Sequence, residues 1–210
     1  MQGFVLVQNN MTKLPITFIY SRLLIGFIII LLSIVHVDHY RIIAIILISI
    51  GLLTDIFDGI IARNLNISTE RLRRLDSNID QVFFISVVIA TYIQIPLFFK
   101  SNALHLLILF AFEGLTYLVC YLKFKKEIAT HSIGAKIWTL LLFATLVEII
   151  SHGASPVLFD ICFWIGLLTR FEIIAIILIL KKWTIDVPTV YHSIKLRQGK
   201  EIKRHKLFNG

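Results

Sequence analysis

Ile42-Ile43-Ala44-Ile45-Ile46-Leu47-Ile48-Ser49-Ile50-Gly51-Leu52-Leu53-Thr54-Asp55-Ile56-Phe57-Asp58-Gly59-Ile60-Ile61-Ala62-Arg63 is an apolar run long enough to cross a bilayer, with two carboxylates inside it. Read as a helix, it puts Asp55, Asp58, Gly59 and Ala62 at the i, i+3, i+4, i+7 spacing that lines up one face. A carboxylate within a span costs about 2.5–3.5 kcal/mol on insertion scales, so such residues face a partner or a cavity. Two on one face call for a cation.

Working outward, the rest of the 210 residues repeats the apolar theme, with 57% hydrophobic and 16% charged residues. The mean hydropathy is +0.84, that of an integral membrane protein and not of a soluble domain. Spans are predicted at about 16–37, 42–64, 76–98, 103–122, 133–152 and 157–180. The fold class expected is therefore all-α, a polytopic membrane bundle of six transmembrane helices preceded by a segment to Leu14-Pro15 lying along the interface. Residues 1–182 read as one membrane domain and 183–210 as a basic cytoplasmic tail, surface-lying or flexible from about Trp183. The N-terminus lacks a basic leader and a small-residue cleavage site, so the first span reads as an uncleaved anchor.

The formal net charge of +8 is unevenly spread. With the N-terminus inside, the inner loops hold Arg63, Arg71, Arg73, Arg74, Lys123, Lys125 and Lys126, and the inner tail adds eight more basic residues from Lys181 on. Arg41 and Lys100 fall outside. The positive-inside rule then puts both termini and the Asp-rich loop in the cytoplasm, in a membrane of the bacterial inner type. Because the basic residues flank apolar spans, anionic headgroups and not nucleic acid are the expected partner. Cys120 and Cys162 lie in spans without metal-type spacing and read as inert core residues.

Beyond a basic linker, Asp76 and Asp80 are also one helical turn apart, at the start of the third span. Two facing helices would converge four carboxylates, a ligand set suited to a pair of hard divalent cations. Gly59 and Ala62 keep the shared face small, for a ligand or for helix packing. Arg63 supplies a planar cationic fork suited to phosphate.

These residues resemble the signature of the CDP-alcohol phosphatidyltransferase family, D-x2-D-G-x2-A-R-x8-G-x3-D-x3-D. The match falls on Asp55, Asp58, Gly59, Ala62, Arg63, Asp76 and Asp80, and only the second glycine differs, being Leu72 here. The resemblance implies that Asp55, Asp58, Asp76 and Asp80 hold two Mg²⁺ or Mn²⁺ ions and that Asp80 is the general base. It also implies that Asp55, Gly59, Ala62, Arg63 and the Leu72 position contact the CDP moiety. Leu72 would narrow that pocket. The activity implied is transfer of a phosphatidyl group from a CDP-linked lipid such as CDP-diacylglycerol to an alcohol, releasing CMP, in a homodimer.

Ser132-Ile133-Gly134-Ala135-Lys136 resembles a segment of the phosphatidylglycerophosphate synthases, although Trp138 breaks the match. Lys136, with Arg71 and Arg74, is therefore a candidate holder of an anionic acceptor such as glycerol 3-phosphate, or else an interfacial lysine. Inositol phosphate, serine and other polyols are the alternative acceptors. Arg22, inside the first span, either snorkels to the interface or pairs with a site phosphate or carboxylate. Among the other intramembrane charges, Arg170 and Glu172 are expected to meet, while Glu113 marks a polar cavity or a dimer contact. Two further function classes fit less of the sequence. An intramembrane prenyltransferase would carry two separate Asp-rich motifs and more spans, a transporter would show repeated halves and broken helices, and a catalytically silent lipid-binding relative is the reading that Leu72 keeps open.

Overall fold

A computed structural model describes residues 2–65, 67, 69–130 and 132–202, and within these the side chains of residues 2–13, Arg63 and Glu70 lie outside the description. All the regular elements among the described residues are helices. Five are long and apolar enough to cross a membrane, Leu14–Val35, Tyr40–Ala62, Ala103–Phe124, Ile133–His152 and Pro156–Ile179. The chain divides into two compact units, Met1–Pro96 and Leu97–Gly210.

The first unit consists of α1 (Gln2–Val35), α2 (Tyr40–Asn64) and α3 (Glu70–Gln94). α1 runs unbroken through Pro15, so the segment expected to precede the first span is the beginning of the same helix. It packs along both α2 and α3. Two glycines permit the close approach of α3: a Cβ added to Gly26 would stand 3.1 Å from the Ser86 side chain, and one added to Gly51 would run into the Phe83 ring. Phe83 is consequently buried against α1 and α2. Truncating such a ring costs about 3–5 kcal/mol in well-packed cores.

α3 starts six residues earlier than the third predicted span. Thr69 is its N-cap, the side-chain oxygen accepting the Leu72 N–H at 3.2 Å, and Pro96 ends it by disfavouring helical backbone at Ile95. Its 25 residues reach about 37 Å at 1.5 Å per residue. The first half carries Arg71, Arg73, Arg74, Asp76 and Asp80, which is why α3 falls short of a span on composition although it is long enough.

The second unit holds α4 (Pro96–Ser101), α5 (Ala103–Phe124), α6 (Ile133–His152), α7 (Pro156–Ile179) and α8 (Val190–Arg197). α7 is its centre, packed on α5, α6 and α8. Ser132 caps α6 by accepting the Ala135 N–H and donates to Glu172 at 3.1 Å, while Gly153, at φ 80°, closes that helix in the left-handed conformation. The intramembrane charges pair differently from the sequence expectation. Arg170 forms its ion pair with Glu113 on α5 and lies 4.4 Å from the Trp138 ring centroid, while Glu172, on the same helix as Arg170, takes the Ser132 hydroxyl. Glu148 accepts from Ser155.

The segment from Trp183, expected as a surface-lying or flexible basic tail, is folded as far as it is described, ending in the surface helix α8. Asp186 and Val187 donate backbone bonds to Ala129 and Thr130 at 3.0 and 2.7 Å, and Val187 is buried with Ile176 and Leu180. Lys123 and Arg197 donate to the Leu178 and Ile179 carbonyls, placing cations on the negative end of α7.

Candidate active site

Asp55 and Asp58 project from the last third of α2, and Asp76 and Asp80 from the first half of α3. The turn between the two helices brings both carboxylate pairs to one end of the unit. Asp55 lies about 10 Å, and Arg22 about 12 Å, inside the nearer ends of their apolar spans, at 1.5 Å per residue. Oxygens of Asp55, Asp76 and Asp80 fall within 4.8 Å of one another. Asp58 joins them through a fifth residue.

That residue is Arg22 of α1, whose side chain is 0% exposed. Its Nη1 donates to Asp55 at 2.9 Å and to Asp80, and its Nη2 donates to Asp76 at 2.7 Å and to Asp58. One guanidinium thus joins three helices through four carboxylates. Its planar fork suits this task, since each terminal nitrogen carries two N–H groups, where an ammonium would offer one point charge. Of the two options the sequence left for Arg22, pairing with carboxylates is the one observed. Four carboxylates thus share the single positive charge of Arg22.

Exposure is graded across the cluster. The side chain of Asp58 is 2% exposed, that of Asp76 17%, of Asp80 28% and of Asp55 33%, so Asp58 closes the bottom while Asp80 and Asp55 stand toward the opening. Beside the acids is a small cleft. Pro15 and Ile19 of α1 form its apolar side, Gly59 and Ala62 line it from α2, and Leu72, Arg73, Asp58 and Asp76 complete it. The small residues leave the room, and of the four acids Asp58 and Asp76 reach into it.

Leu72, which stands where the signature has glycine, is therefore a wall of this cleft. Among the described arginines the one lining it is Arg73, which sequence reasoning did not select. The signal was available: Leu72 and Arg73 precede Asp76 by four and three residues and so share its helix face. Arg71 is exposed in the first turn of α3 and Arg74 is half-buried. Lys136 belongs to the second unit, in the first turn of α6, where its backbone N–H is bound by Ser132. Arg63 is helical, and its side chain lies outside the described residues.

Chemically, the cluster offers only hard carboxylate donors, supplied by two rigid helices at short mutual distance. That set fits Mg²⁺ or Mn²⁺, which take oxygen ligands and retain open positions for phosphate. A family model described as CDP-alcohol phosphatidyltransferase matches residues 12–185, a stretch that contains all four acids, Arg22 and Lys136. No curated protein and no solved structure matches the chain.

Proposed function

The chain belongs to the CDP-alcohol phosphatidyltransferase family, and from that premise we propose that it moves a phosphatidyl group from CDP-diacylglycerol to a small polar alcohol. As a member it is an integral membrane transferase of phospholipid synthesis. The observation that carries the finer reading is the convergence of Asp55, Asp58, Asp76 and Asp80 beside a cleft walled by Gly59 and Ala62.

In this reading the cytidine diphosphate lies in the cleft, where Gly59 and Ala62 let its phosphates come close and Arg73 answers their charge, a role the family resemblance also implies for Arg63. Asp80, at the more open side of the cluster, accepts the proton of the acceptor hydroxyl. The acceptor oxygen then forms a bond to the lipid-side phosphorus, the bond from that phosphorus to the bridging oxygen breaks, and CMP leaves with the electron pair. Bound by Asp55, Asp58, Asp76 and Asp80, two Mg²⁺ or Mn²⁺ ions would supply neutralisation of the pyrophosphate and of the leaving group. The buried floor at Asp58 and the apolar wall of Pro15 and Ile19 limit water access, which favours transfer to the acceptor over hydrolysis.

Glycerol 3-phosphate is the acceptor we favour, on the cationic lining at Arg73 and on the Lys136 segment. The basic residues of the α2–α3 turn and of the tail support a cytoplasmic site with both termini inside, and a homodimer is the assembly expected of the family. The test is CMP release by detergent-purified protein from CDP-diacylglycerol across a panel of glycerol 3-phosphate, inositol phosphate, serine and free polyols. Release with glycerol 3-phosphate alone is the expected result. Release with another member of the panel would replace the acceptor, and none with any would overturn the proposed reaction.

A further inference from the structure

Each terminal nitrogen of Arg22 is in hydrogen-bond contact with two carboxylates, one from α2 and one from α3. The space bounded by the four acids is therefore filled by the guanidinium. A Mg²⁺ ion bound by the same oxygens must sit at about 2.0–2.1 Å from each. To use those oxygens it would have to take the lone pairs that Nη1 engages on Asp55 and Asp80 and that Nη2 engages on Asp58 and Asp76.

Guanidinium and metal are thus alternatives at the same place, whereas an arginine serving only to support the ligands would approach them from behind. Nε of Arg22 has no hydrogen-bond partner, so the guanidinium is held through its two terminal nitrogens.

We propose that Arg22 is a built-in counter-cation: it holds the four carboxylates together when metal is absent and must be displaced for divalent cations to bind, so that it sets the metal affinity of the site. The proposal rests on the reading of the four acids as a divalent-cation site. Without Arg22, the clustered carboxylates, of which Asp58 is buried, repel one another with no guanidinium between them. The variant should therefore be less stable without metal and bind metal more tightly.

The test uses the full chain in detergent, stripped with EDTA and titrated with Mn²⁺ alone, free Mn²⁺ being read by electron paramagnetic resonance and unfolding by a thermal melt. Arg22→Gln is expected to bind Mn²⁺ at least tenfold more tightly than the wild type, and its melting temperature to rise more on Mn²⁺ addition. Arg22→Lys, which keeps the charge but loses the fork, is expected to fall between the two and decides the matter if Arg22→Gln does not fold. Mn²⁺ binding to the wild type with equal or weaker binding by the variants overturns the counter-cation role while leaving the metal site intact. Absence of Mn²⁺ binding from wild type and variants alike overturns both the metal site and the proposal. General damage to the fold would not tighten metal binding, which separates this role from a purely structural one.

Discussion

Arg22 and Arg170 are both arginines buried in apolar helices, one in each unit, and their surroundings differ in kind. Arg170 has a single carboxylate, Glu113, and the face of Trp138, so its charge is matched within the bundle. Arg22 has four carboxylates, drawn from two helices, against its one charge. A matched pair ties helices together. Several carboxylates on one cation beside a cleft are the arrangement in which a further cation or a substrate can be held, and in the proposed reading this is how a site differs from a staple.

The comparison can be broken most readily at Asp80. Asp80→Asn keeps the shape of the cluster and removes the proton acceptor, so CMP release should fall about 10²–10⁴-fold while nucleotide binding persists. Turnover near the wild-type level would remove Asp80 from the role of base. The opposite behaviour is expected in the second unit. Arg170→Met leaves Glu113 unpaired and should cost about 3–5 kcal/mol of stability, read as a lower melting temperature in detergent, with activity per folded molecule little changed. Pairing it with Glu113→Leu should recover most of that loss. If Arg170→Met instead abolished turnover in stably folded protein, the division between staple and site would fail.

Smaller effects sharpen the first unit's side of the contrast. Leu72→Gly opens the cleft wall and should lower KM for the CDP-linked donor several-fold with little change in kcat, at a helix-propensity cost of about 1 kcal/mol. An unchanged KM would mean that the donor does not reach that wall. Thr69→Ala removes the N-cap of α3 and should cost about 1 kcal/mol in thermal unfolding, since the Leu72 N–H loses its partner.

How much of this was legible in the sequence follows from the range of the interactions. The apolar runs announced the helices, and the spacing of Asp55, Asp58, Asp76 and Asp80 announced their shared faces, because helical phase is a local property. Arg73 was equally local and was passed over by attending to charge instead of phase. Arg22 stayed ambiguous, because an arginine in an apolar run can snorkel or pair, and only the packing of α1 against α2 and α3 decides between them. The partners of Arg170 and Glu172 depend on how α5, α6 and α7 meet. The folded end of the chain rests on backbone bonds between residues 129–130 and 186–187, more than fifty positions apart, and on scattered Val187, Val190 and Leu196 that no period reveals.

The proposal that the acid cluster is a divalent-metal centre for CDP-alcohol transfer is tested most directly by CMP release from CDP-diacylglycerol, with an alcohol acceptor present, by EDTA-stripped protein before and after Mg²⁺ or Mn²⁺ is added. The account predicts no CMP before addition, prompt release after it, and none in either condition from a variant with Asp55, Asp58, Asp76 and Asp80 all changed to Asn. Release that is indifferent to the metal, or that survives loss of the four carboxylates, would contradict it.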